Sequence, residues 1–555
     1  MNRRHFIQIS SSSLAGLILS SSSRGAYRQE YFLALPDEVW INTNNELIAL
    51  HSSDATNWTN KDVQVTLSHK NDLISVDVYS PSLALNAVKL KWKYAIASSA
   101  KCLGDHWERT YGDVSWQIPS ADKKMPWYFM QYDGSNTNCF GVKTGCSSIC
   151  YWQISADALQ LNLDTRSGGK GVQLGERTLH AAEIITTKNK NSETVFATAQ
   201  RFCKLMCDKP VLPKEPVYGI NDWYFAYGNN SAKLILQHTS MLAELATNES
   251  NKPFSVIDAG WAIKSPKLPD DCCWGDDFSK SNKKFGDMAV LATKIKQLGM
   301  RPGLWVRPLC AKSNDKANLL MPAIANRNDT KMPLLDPTIP ENIDRIKNLL
   351  HAYKDWGYEM VKHDYTSFDI LGRWGFVMMN DITQGGWQFN DNSKTNAEIM
   401  LNLYKAIREA AGSMYLIGCN TMSHLSAGIF ELNRIGDDTS GNEWERTRKM
   451  GVNTIGHRII QHNHFYAADA DCVGLTNNVP WNKNKQWMQL VAQSGAPLFI
   501  SAQPEAIGIE QKAFIKQSFT EASKPQPIGE PLDWLENMLP SKWKLNENIV
   551  EFNWQ

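Results

Sequence analysis

The chain has 555 residues, too many for one ordinary domain, so we expect two or three domains. Acidic and basic residues nearly cancel, leaving a formal net charge of +1, and no basic block stands out. This balance argues against nucleic acid or an anionic membrane surface as a partner. The 20 Trp and 17 Tyr suit sugar rings, but large hydrophobic cores use the same residues.

The N-terminus carries a candidate export signal. Residues 1–27 open with MNRRHFIQ, in which Arg3 and Arg4 form a pair, and continue as a mildly apolar, serine-rich run. This pattern resembles a twin-arginine signal, although a disordered basic tail would share its composition. No later stretch approaches the roughly 20 apolar residues that span a bilayer. We therefore expect an exported protein, periplasmic or extracellular, without a membrane span.

Residues 28–208 are rich in β patterns and form the first predicted domain. Short runs of alternating or β-branched residues are separated by clusters of Gly, Asn, Asp and Ser. The clearest candidate strands are residues 62–69, 73–80, 150–156 and 180–188. They predict an antiparallel β-sandwich. A helical pattern at 194–208 and the Pro-rich linker KPVLPKEP at 209–216 follow.

Residues 217–522 alternate strand and helix patterns and predict a (β/α)8 TIM barrel, which makes the chain an α/β protein. The candidate strands are residues 217–225, 254–261, 300–308, 358–365, 414–420, 428–438, 464–471 and 496–502. The helical patterns are residues 232–245, 287–298, 343–356, 396–411, 443–461, 485–493 and 510–521. A doubly wound sheet uses the same alternation, but no GxGxxG or phosphate loop follows these strands. Residues 523–555 are left as a short C-terminal β segment, with one candidate strand at 548–554.

The fourth barrel strand, YEMVKHDY, presents the clearest chemical motif. It delivers Lys362, His363 and Asp364 to the mouth of the barrel. A carboxylate held ionised by a nearby lysine is poised as a nucleophile, although a surface strand end with a stray charge pair has the same pattern. Asp438 follows strand six and is placed to face Asp364. Two such carboxylates are the apparatus of glycoside hydrolysis, retaining at about 5–5.5 Å separation and inverting at about 6.5–9.5 Å.

A series of motifs in chain order gives the barrel a family resemblance. The motifs are GINDWYFAYGNN on strand one, VIDAGW on strand two, the stretch ending in GLW on strand three, KHD on strand four, RIGDD on strand six and ADADCVG on strand seven. In this order they resemble the melibiase clan of retaining α-galactosidases. The resemblance runs from about residue 218 to the last barrel helix.

The resemblance implies roles for individual residues. Asp364 is the implied nucleophile and Asp438 the implied acid/base, whose pKa we expect neighbouring carboxylates such as Asp437 to raise. Asp437 is an internal competitor for that role, and its alternative is to support Arg434. The implied substrate-binding residues are Trp223, Asp258, Trp261, Trp305, Lys362, Cys419, Arg434 and Asp471. We expect no cofactor and no metal.

The implied activity is that of an exo-acting retaining glycosidase that releases terminal α-D-galactose from oligo- or polysaccharides. Two residues depart from the clan's pattern. Ala259 replaces the second Asp of the clan's DDGW, and losing that charge-assisted hydrogen bond costs roughly 1.5–3 kcal/mol. The hypothesis that follows is a subsite that accepts β-L-arabinopyranose, which lacks the hydroxymethyl group of galactose. His363 replaces an aromatic residue, and we expect it to pack in the barrel wall.

Other readings stay open at this point. A glycan-binding protein that kept the barrel and lost turnover would show the same motifs, and a transglycosylase would use the same site. The HxH pair of His462 and His464 opens strand seven at the bottom face, which favours a structural use over a metal site. An acidic cluster with Trp274 follows strand two and either lines the site or forms a solvated lid. Its carboxylates are Asp270, Asp271, Asp276 and Asp277.

Overall fold

The computed structural model describes residues 32–43, 46–70, 72–97, 99–266, 268, 275–324 and 332–555. The predicted export signal lies outside these ranges. Residues 38–188 form antiparallel strands in two sheets. The strands are β1 Glu38–Asn42, β2 Leu47–Ala49, β3 Asn57–Asn60, β4 Val63–Lys70, β5 Leu73–Tyr79, β6 Ala87–Lys93, β7 Lys101–Gly104, β8 Met125–Pro126, β9 Tyr128–Tyr132, β10 Thr137–Val142, β11 Ile149–Ile154, β12 Ala158–Asp164 and β13 Thr178–Lys188. The two sheets are ordered β2-β1-β6-β12-β11-β8 and β3-β4-β5-β13-β10-β9-β7.

Aromatic side chains join the two sheets. Phe129 and Phe140 of the seven-stranded sheet stack at 4.9 Å, and Trp152 of the six-stranded sheet lies 5.8 and 6.2 Å from them. Alternate residues of β5 are buried, as a strand with one face toward the core requires. A helix at Val195–Met206 follows β13, and its first turn is capped by the Thr194 hydroxyl, which accepts from the Ala197 amide at 3.1 Å.

A parallel sheet lies in the second half of the protein. Its strands are β14 Tyr218–Asn221, β15 Phe254–Ile257, β18 Arg301–Val306, β19 Met360–His363, β20 Tyr415–Gly418, β21 Leu432–Arg434, β22 Ala467–Asp469, β23 Cys472–Leu475 and β24 Leu498–Ala502. They are ordered β22-β21-β20-β19-β18-β15-β14-β24-β23. The two edge strands, β22 and β23, are separated in the chain only by Ala470 and Asp471, so one segment borders both ends of the sheet. A separate hairpin, β16 Ala262–Ile263 with β17 Asp277–Ser281, follows β15.

Helices alternate with these strands. The α-helices are Trp223–Ala226, Ala232–Ala243, Met288–Gln297, Pro340–Asp355, Thr366–Leu371, Gly375–Met378, Asn396–Ala411, Ser423–Ser426, Trp444–Thr447, Thr454–Arg458, Trp481–Gln493 and Ile509–Ala522. The single helix predicted at 443–461 is broken by a π-helical turn at Arg448–Asn453 and ends in a 3-10 turn at Ile459–Gln461. Further 3-10 turns lie at Ala317–Leu319 and Pro504–Ala506. Within the described ranges, no helix is long and apolar enough to cross a membrane.

The C-terminal segment forms a small antiparallel sheet of three strands rather than the one predicted strand. These are β25 Glu530–Pro531, β26 Lys542–Leu545 and β27 Asn548–Glu551. Trp534 lies between this sheet and the N-terminal half, with its ring 5.3 Å from Trp116 and 5.6 Å from Phe196. The segment therefore packs against the N-terminal half, although in the chain it follows the half that carries the parallel sheet.

Candidate active site

Asp364 lies immediately beyond the C-terminal end of β19. Its amide donates to the carbonyl of Val306 at 3.0 Å, which extends the pairing with β18 by one residue. Tyr365 then turns the chain with a φ of +65°, and its amide donates to Oδ1 of Asp364 at 2.8 Å. The indole of Trp305 donates to Oδ2 at 3.2 Å. Both carboxylate oxygens are thus oriented by donors, while the side chain stays partly exposed.

Lys362 forms its ion pair with Asp258, not with Asp364 as the sequence suggested. Nζ lies 2.7 Å from Oδ2 of Asp258, and Asn221 donates to the same oxygen at 2.7 Å. Burial alone would lower the pKa of Lys362, but nearby acidic groups, Asp258 first among them, together outweigh burial and hold that pKa well above its ordinary value. The contacts that orient Asp364 come from Trp305 and the Tyr365 backbone instead.

Arg434 links several of the predicted site residues. Its side chain is fully buried, and Nη2 lies 3.2 Å from Oδ1 of Asp438 and 3.0 Å from Oδ2 of Asp471. Nη1 lies 3.6 Å from the sulfur of Cys419. Burial, followed by the charge of Asp364, raises the pKa of Cys419 well above its ordinary value, so the thiol stays neutral beside these charges. Arg434, at the end of β21, therefore links Cys419, Asp438 and Asp471, which follow β20, β21 and β22.

Asp471 holds the neighbourhood of Asp438 in place. It adopts a φ of +72° between β22 and β23. Its Oδ2 accepts from the amide and hydroxyl of Thr439 at 2.8 and 3.0 Å, and from the hydroxyl of Tyr224. Together with Arg434, these donors occupy that oxygen, and the side chain is buried. Asp471 thus positions Arg434 and the residue after Asp438.

Asp437 and Asp438, the two adjacent carboxylates that follow β21, have different surroundings. Asp437 is held by two arginines, Arg109 at 2.9 Å and Arg446 at 2.8 Å, and its side chain is 13% exposed. Asp438 is 35% exposed and is approached by Arg434 at 3.2 Å and by Arg109 at 3.6 Å. Asp438 is the more accessible of the two.

The electrostatics of Asp438 differ from the expectation. Burial raises its pKa, but the charges of Arg434 and Arg109 outweigh burial and lower it to about 2. The prediction that neighbouring carboxylates such as Asp437 raise this pKa is therefore wrong. The physical reason is that Arg109 and Arg446 compensate the charge of Asp437, and Arg109 also reaches Asp438.

The predicted tryptophans occupy three different environments. Trp223 is partly buried at the start of a short helix, with its ring 5.6 Å from that of Tyr227. Trp305 is buried and touches Asp364, as described above. Trp261 is fully buried, packs against Phe278 at 5.8 Å, and donates from its indole to the Trp305 carbonyl at 2.8 Å. Trp261 has no exposed surface, and its indole supports the backbone of Trp305.

Sequence reasoning missed residues 105–111, which belong to the N-terminal half and enter the site. Arg109, described above, comes from this segment. Glu108 is buried and accepts from the Ser367 hydroxyl at 2.6 Å, from the Gly375 amide at 2.8 Å and from Asn420. The available signal was the stretch DHWER, which places three charged residues within five in a β-rich region.

The remaining motifs have local roles where the structure describes them. Asp276 accepts from the Ser265 amide at 2.8 Å, and Asp277 pairs with Lys312 at 3.0 Å. Asp270, Asp271 and Trp274 lie outside the described residues. His462 accepts from the Ala468 amide at 3.1 Å at the N-terminal end of β22, which fits a structural use.

These observations define an α/β protein whose parallel strands end in two accessible carboxylates, beside buried lysine and arginine side chains. No protein-family model matches the chain, and no curated protein matches its sequence. Solved structures of similar fold include α-galactosidases.

The α-galactosidase TtGalA from Thermus thermophilus, in complex with p-nitrophenyl α-D-galactopyranoside, aligns with a TM-score of 0.60 and 15% identity over 93% of this chain and 98% of its own. The GH36 α-galactosidase AgaB from Geobacillus stearothermophilus gives 0.58 and 12% over 90% and 76%. A variant of the GH36 α-galactosidase AgaA from the same organism, in complex with 1-deoxygalactonojirimycin, gives 0.57 and 11% over 87% and 72%. The resemblance to melibiase-clan α-galactosidases is confirmed at the level of the fold.

Proposed function

We propose that the protein is an exo-acting retaining glycoside hydrolase that releases terminal α-D-galactose, or the related β-L-arabinopyranose, from oligo- or polysaccharides. The observation that carries this proposal is the pair of partly exposed carboxylates, Asp364 and Asp438, at the ends of two parallel strands. Both lie within electrostatic range of the Tyr365 hydroxyl. Burial raises the pKa of Tyr365 most, Arg307 opposes it, and both carboxylates raise it further.

The proposal includes a closed (β/α)8 barrel. Support comes from the edge strands β22 and β23, which are consecutive in the chain and pair with opposite ends of the sheet. Closure places the C-terminal ends of all strands around one mouth, where barrel enzymes carry their active sites. Residues 217–522 then form the catalytic domain, after a β-sandwich at 28–208 and a linker at 209–216.

The proposed reaction has two steps. Asp364 attacks the anomeric carbon, and the bond from that carbon to the leaving oxygen breaks as the bond to the carboxylate forms. Asp438 gives its proton to the leaving oxygen and later takes one from the water that hydrolyses the glycosyl-enzyme. Trp305 and the Tyr365 amide fix the attacking carboxylate, so less orientation entropy is lost on reaching the transition state.

A screen of nitrophenyl glycosides tests the proposal. The wild-type protein should hydrolyse the α-galactoside or the β-L-arabinopyranoside. The sugar that proton NMR detects first should have the same anomeric configuration as the substrate. Asp364→Ala should lose at least about a thousandfold in kcat. Asp381→Ala is the matched control, because Asp381 lies in the loop after the same strand and pairs with Arg166. A release of inverted sugar, or an Asp364→Ala variant above a thousandth of wild-type rate, would refute the nucleophile.

A glycan-binding protein without turnover is the second candidate, and one observation favours it. The low pKa of Asp438 leaves little of the protonated acid at neutral pH. Calorimetry with galactose separates the hydrolase from the glycan-binding protein. If the wild-type protein binds galactose but hydrolyses none of the glycosides, the glycan-binding candidate is supported. A transglycosylase would instead transfer the sugar to an added acceptor, which product analysis detects.

The proposed location is outside the cytoplasm. It rests on the Arg3-Arg4 pair and the apolar run that follows in residues 1–27. Fractionation of cells that express the full chain should place the protein in the periplasm or medium. An Arg3→Lys/Arg4→Lys variant should stay inside, and equal export of both would remove the twin-arginine proposal.

A further inference from the structure

The 105–111 segment of the N-terminal half pairs with the stretch of backbone that carries the two carboxylates after strand six. The Thr110 amide donates to the Ile435 carbonyl at 2.9 Å, and the Asp437 amide donates to the Thr110 carbonyl at 2.8 Å. Thr110 and Gly436 thus form a parallel bridge. The segment extends the pairing of β21 just where Asp437 and Asp438 are presented.

Two buried carboxylates that precede Arg109 in the chain, Asp105 and Glu108, anchor this segment. Asp105 pairs with Arg458 at 2.9 Å, with both side chains almost fully buried. Glu108 is bound by the loop and short helix that follow Asp364, as described above. Buried charges are costly unless paired, so these contacts specify one position for the segment. Arg109 is left directed at Asp437 and Asp438, with its guanidinium 5.3 Å from the Trp374 ring.

We propose that Arg109 is a positioning residue for the acid/base: it closes Asp437 in an ion pair and so makes Asp438 the carboxylate presented to the glycosidic oxygen. This inference rests on the proposed glycosidase function. The N-terminal half then forms part of the active site, because the residue that assigns the two carboxylates their roles comes from it.

The other charged groups around Asp438 have partners of their own. Arg434 is shared with Asp471, Arg446 with Asp437, and Lys362 with Asp258. The groups that act on Asp438 or share its partners are Arg109, Arg434, Lys362, Arg446, Asp437, Asp471 and the hydroxyls of Tyr224 and Tyr365. Among these groups, Arg109 comes from the N-terminal half. Its substitution therefore changes the charge near Asp438 without altering a residue of the parallel sheet.

The first test varies the leaving group. Aryl glycosides of phenols from acidic to weakly acidic should be compared in the wild type, Arg109→Met and Arg109→Lys. Acid catalysis matters most for poor leaving groups. Because the pKa of Asp438 differs between the variants, each kcat is divided by the fraction of Asp438 that is protonated, as given by the titration below. We expect this corrected kcat of Arg109→Met to fall at least tenfold more with the poorest phenol than with 2,4-dinitrophenol, and Arg109→Lys to recover part of the loss. An equal loss across the series would mean a merely structural role and would overturn the inference.

Arg177→Met is the matched control. Arg177 is also an arginine of the N-terminal half that pairs with the barrel half, at Glu398 across 2.8 Å, but none of its contacts reach the carboxylates after strand six. Its loss should lower thermal stability and leave the leaving-group dependence unchanged. If Arg109→Met does not fold, Arg109→Met/Asp437→Asn keeps the buried charges balanced and takes its place.

The second test needs no turnover. The Asp438 carboxyl is followed by 13C NMR in protein labelled at aspartate, and Asp438→Asn assigns the signal. Removing a nearby guanidinium favours the protonated form, so the pKa of Asp438 should rise by at least one pH unit in Arg109→Met. An unchanged titration would overturn the inference even in an active enzyme. If the wild type hydrolyses none of the glycosides, the lack of turnover refutes the glycosidase proposal, while a rise in the pKa of Asp438 in Arg109→Met still upholds the contact between Arg109 and Asp438.

Discussion

Lys362 and Asp258 form an ion pair of 2.7 Å across the parallel sheet, with β18 lying between their two strands. Their side chains are 9% and 4% exposed. Asn221, from the end of β14, donates to the same carboxylate oxygen. The lysine of the KHD motif therefore ties the strand of the candidate nucleophile to the first two strands of the sheet. The ammonium group of Lys362 is therefore used in the ion pair that links these strands.

Lys362→Met should destabilise the protein by about 3–5 kcal/mol, because it leaves the Asp258 carboxylate buried without its counter-charge. Chemical denaturation at neutral pH measures the loss. Lys362→Met/Asp258→Leu removes both charges and should recover much of it. A loss below about 1 kcal/mol for the single variant would contradict a buried pair.

Hydrolysis should have an acidic optimum. The active form carries a proton on Asp438, whose pKa is lowered to about 2 when the charges of Arg434 and Arg109 outweigh burial. The protonated fraction then falls about tenfold per pH unit at higher pH. We expect kcat/KM to decrease with a limiting slope of about −1 between roughly pH 5 and 7. An optimum at or above about pH 7 would contradict the role of Asp438 as the acid.

Much of the half that carries the parallel sheet could be predicted because its signals are local. Helix Asn396–Ala411 has the predicted bounds, and its start is fixed by a capping box between Thr395 and Glu398. Apart from β23, each strand of the parallel sheet lies within a predicted apolar run, since strands buried on both faces leave such runs in the sequence. The predicted ends were too long wherever polar residues that belong to the loops followed the strand, as with Asp437 and Asp438 after β21.

Arg109 and Trp261 could not be assigned from the sequence for different reasons. Arg109 reaches Asp438 from a distant part of the chain, and the contact depends on how two halves pack, which no local pattern records. Trp261 follows strand two as expected, but Gly260, at a φ of +118°, turns the chain so that the indole enters the core. Position after a strand predicts the neighbourhood of a side chain, not its direction.

His363→Phe should leave kcat unchanged and flatten the acid dependence of stability. The His363 ring is fully buried 4.7 Å from Phe430, and neither nitrogen has a hydrogen-bond partner among the described residues. Burial lowers its pKa from 6.5 to about 3. Between these two values the unfolded chain therefore binds a proton that the folded protein does not, and the free energy of unfolding falls as pH falls, by about 1.4 kcal/mol per unit.

The measurement is urea unfolding at about pH 5.5 and 4.5 in both proteins, where His363→Phe should lose about 1.4 kcal/mol less than the wild type. Other buried histidines also have lowered pKa values and keep the remaining slope; they are His106, His238, His424, His457 and His462. Equal slopes would show that His363 is not buried in the neutral form.

Ala259→Asp should move sugar preference toward galactose. Ala259 is buried beside Asp258, its amide donates to Oδ1 of that residue at 2.9 Å, and its carbonyl accepts from Asn230 at 2.9 Å. An aspartate there would supply a charge-assisted hydrogen bond worth about 1.5–3 kcal/mol, so the galactoside to β-L-arabinopyranoside ratio of kcat/KM should rise about tenfold to a hundredfold.

The same change should cost stability, and this explains why alanine suits the site. Burial and the charge of Asp258 already raise the pKa of Asp222 to about 7, so a third carboxylate would add repulsion that Lys362 cannot balance alone. Ala259→Asn offers hydrogen bonds without the charge and should shift the ratio less while folding normally. A wild-type preference for the galactoside above about tenfold would contradict the arabinopyranose hypothesis. If the galactoside to β-L-arabinopyranoside ratio of kcat/KM does not shift in Ala259→Asp, position 259 does not face the sugar.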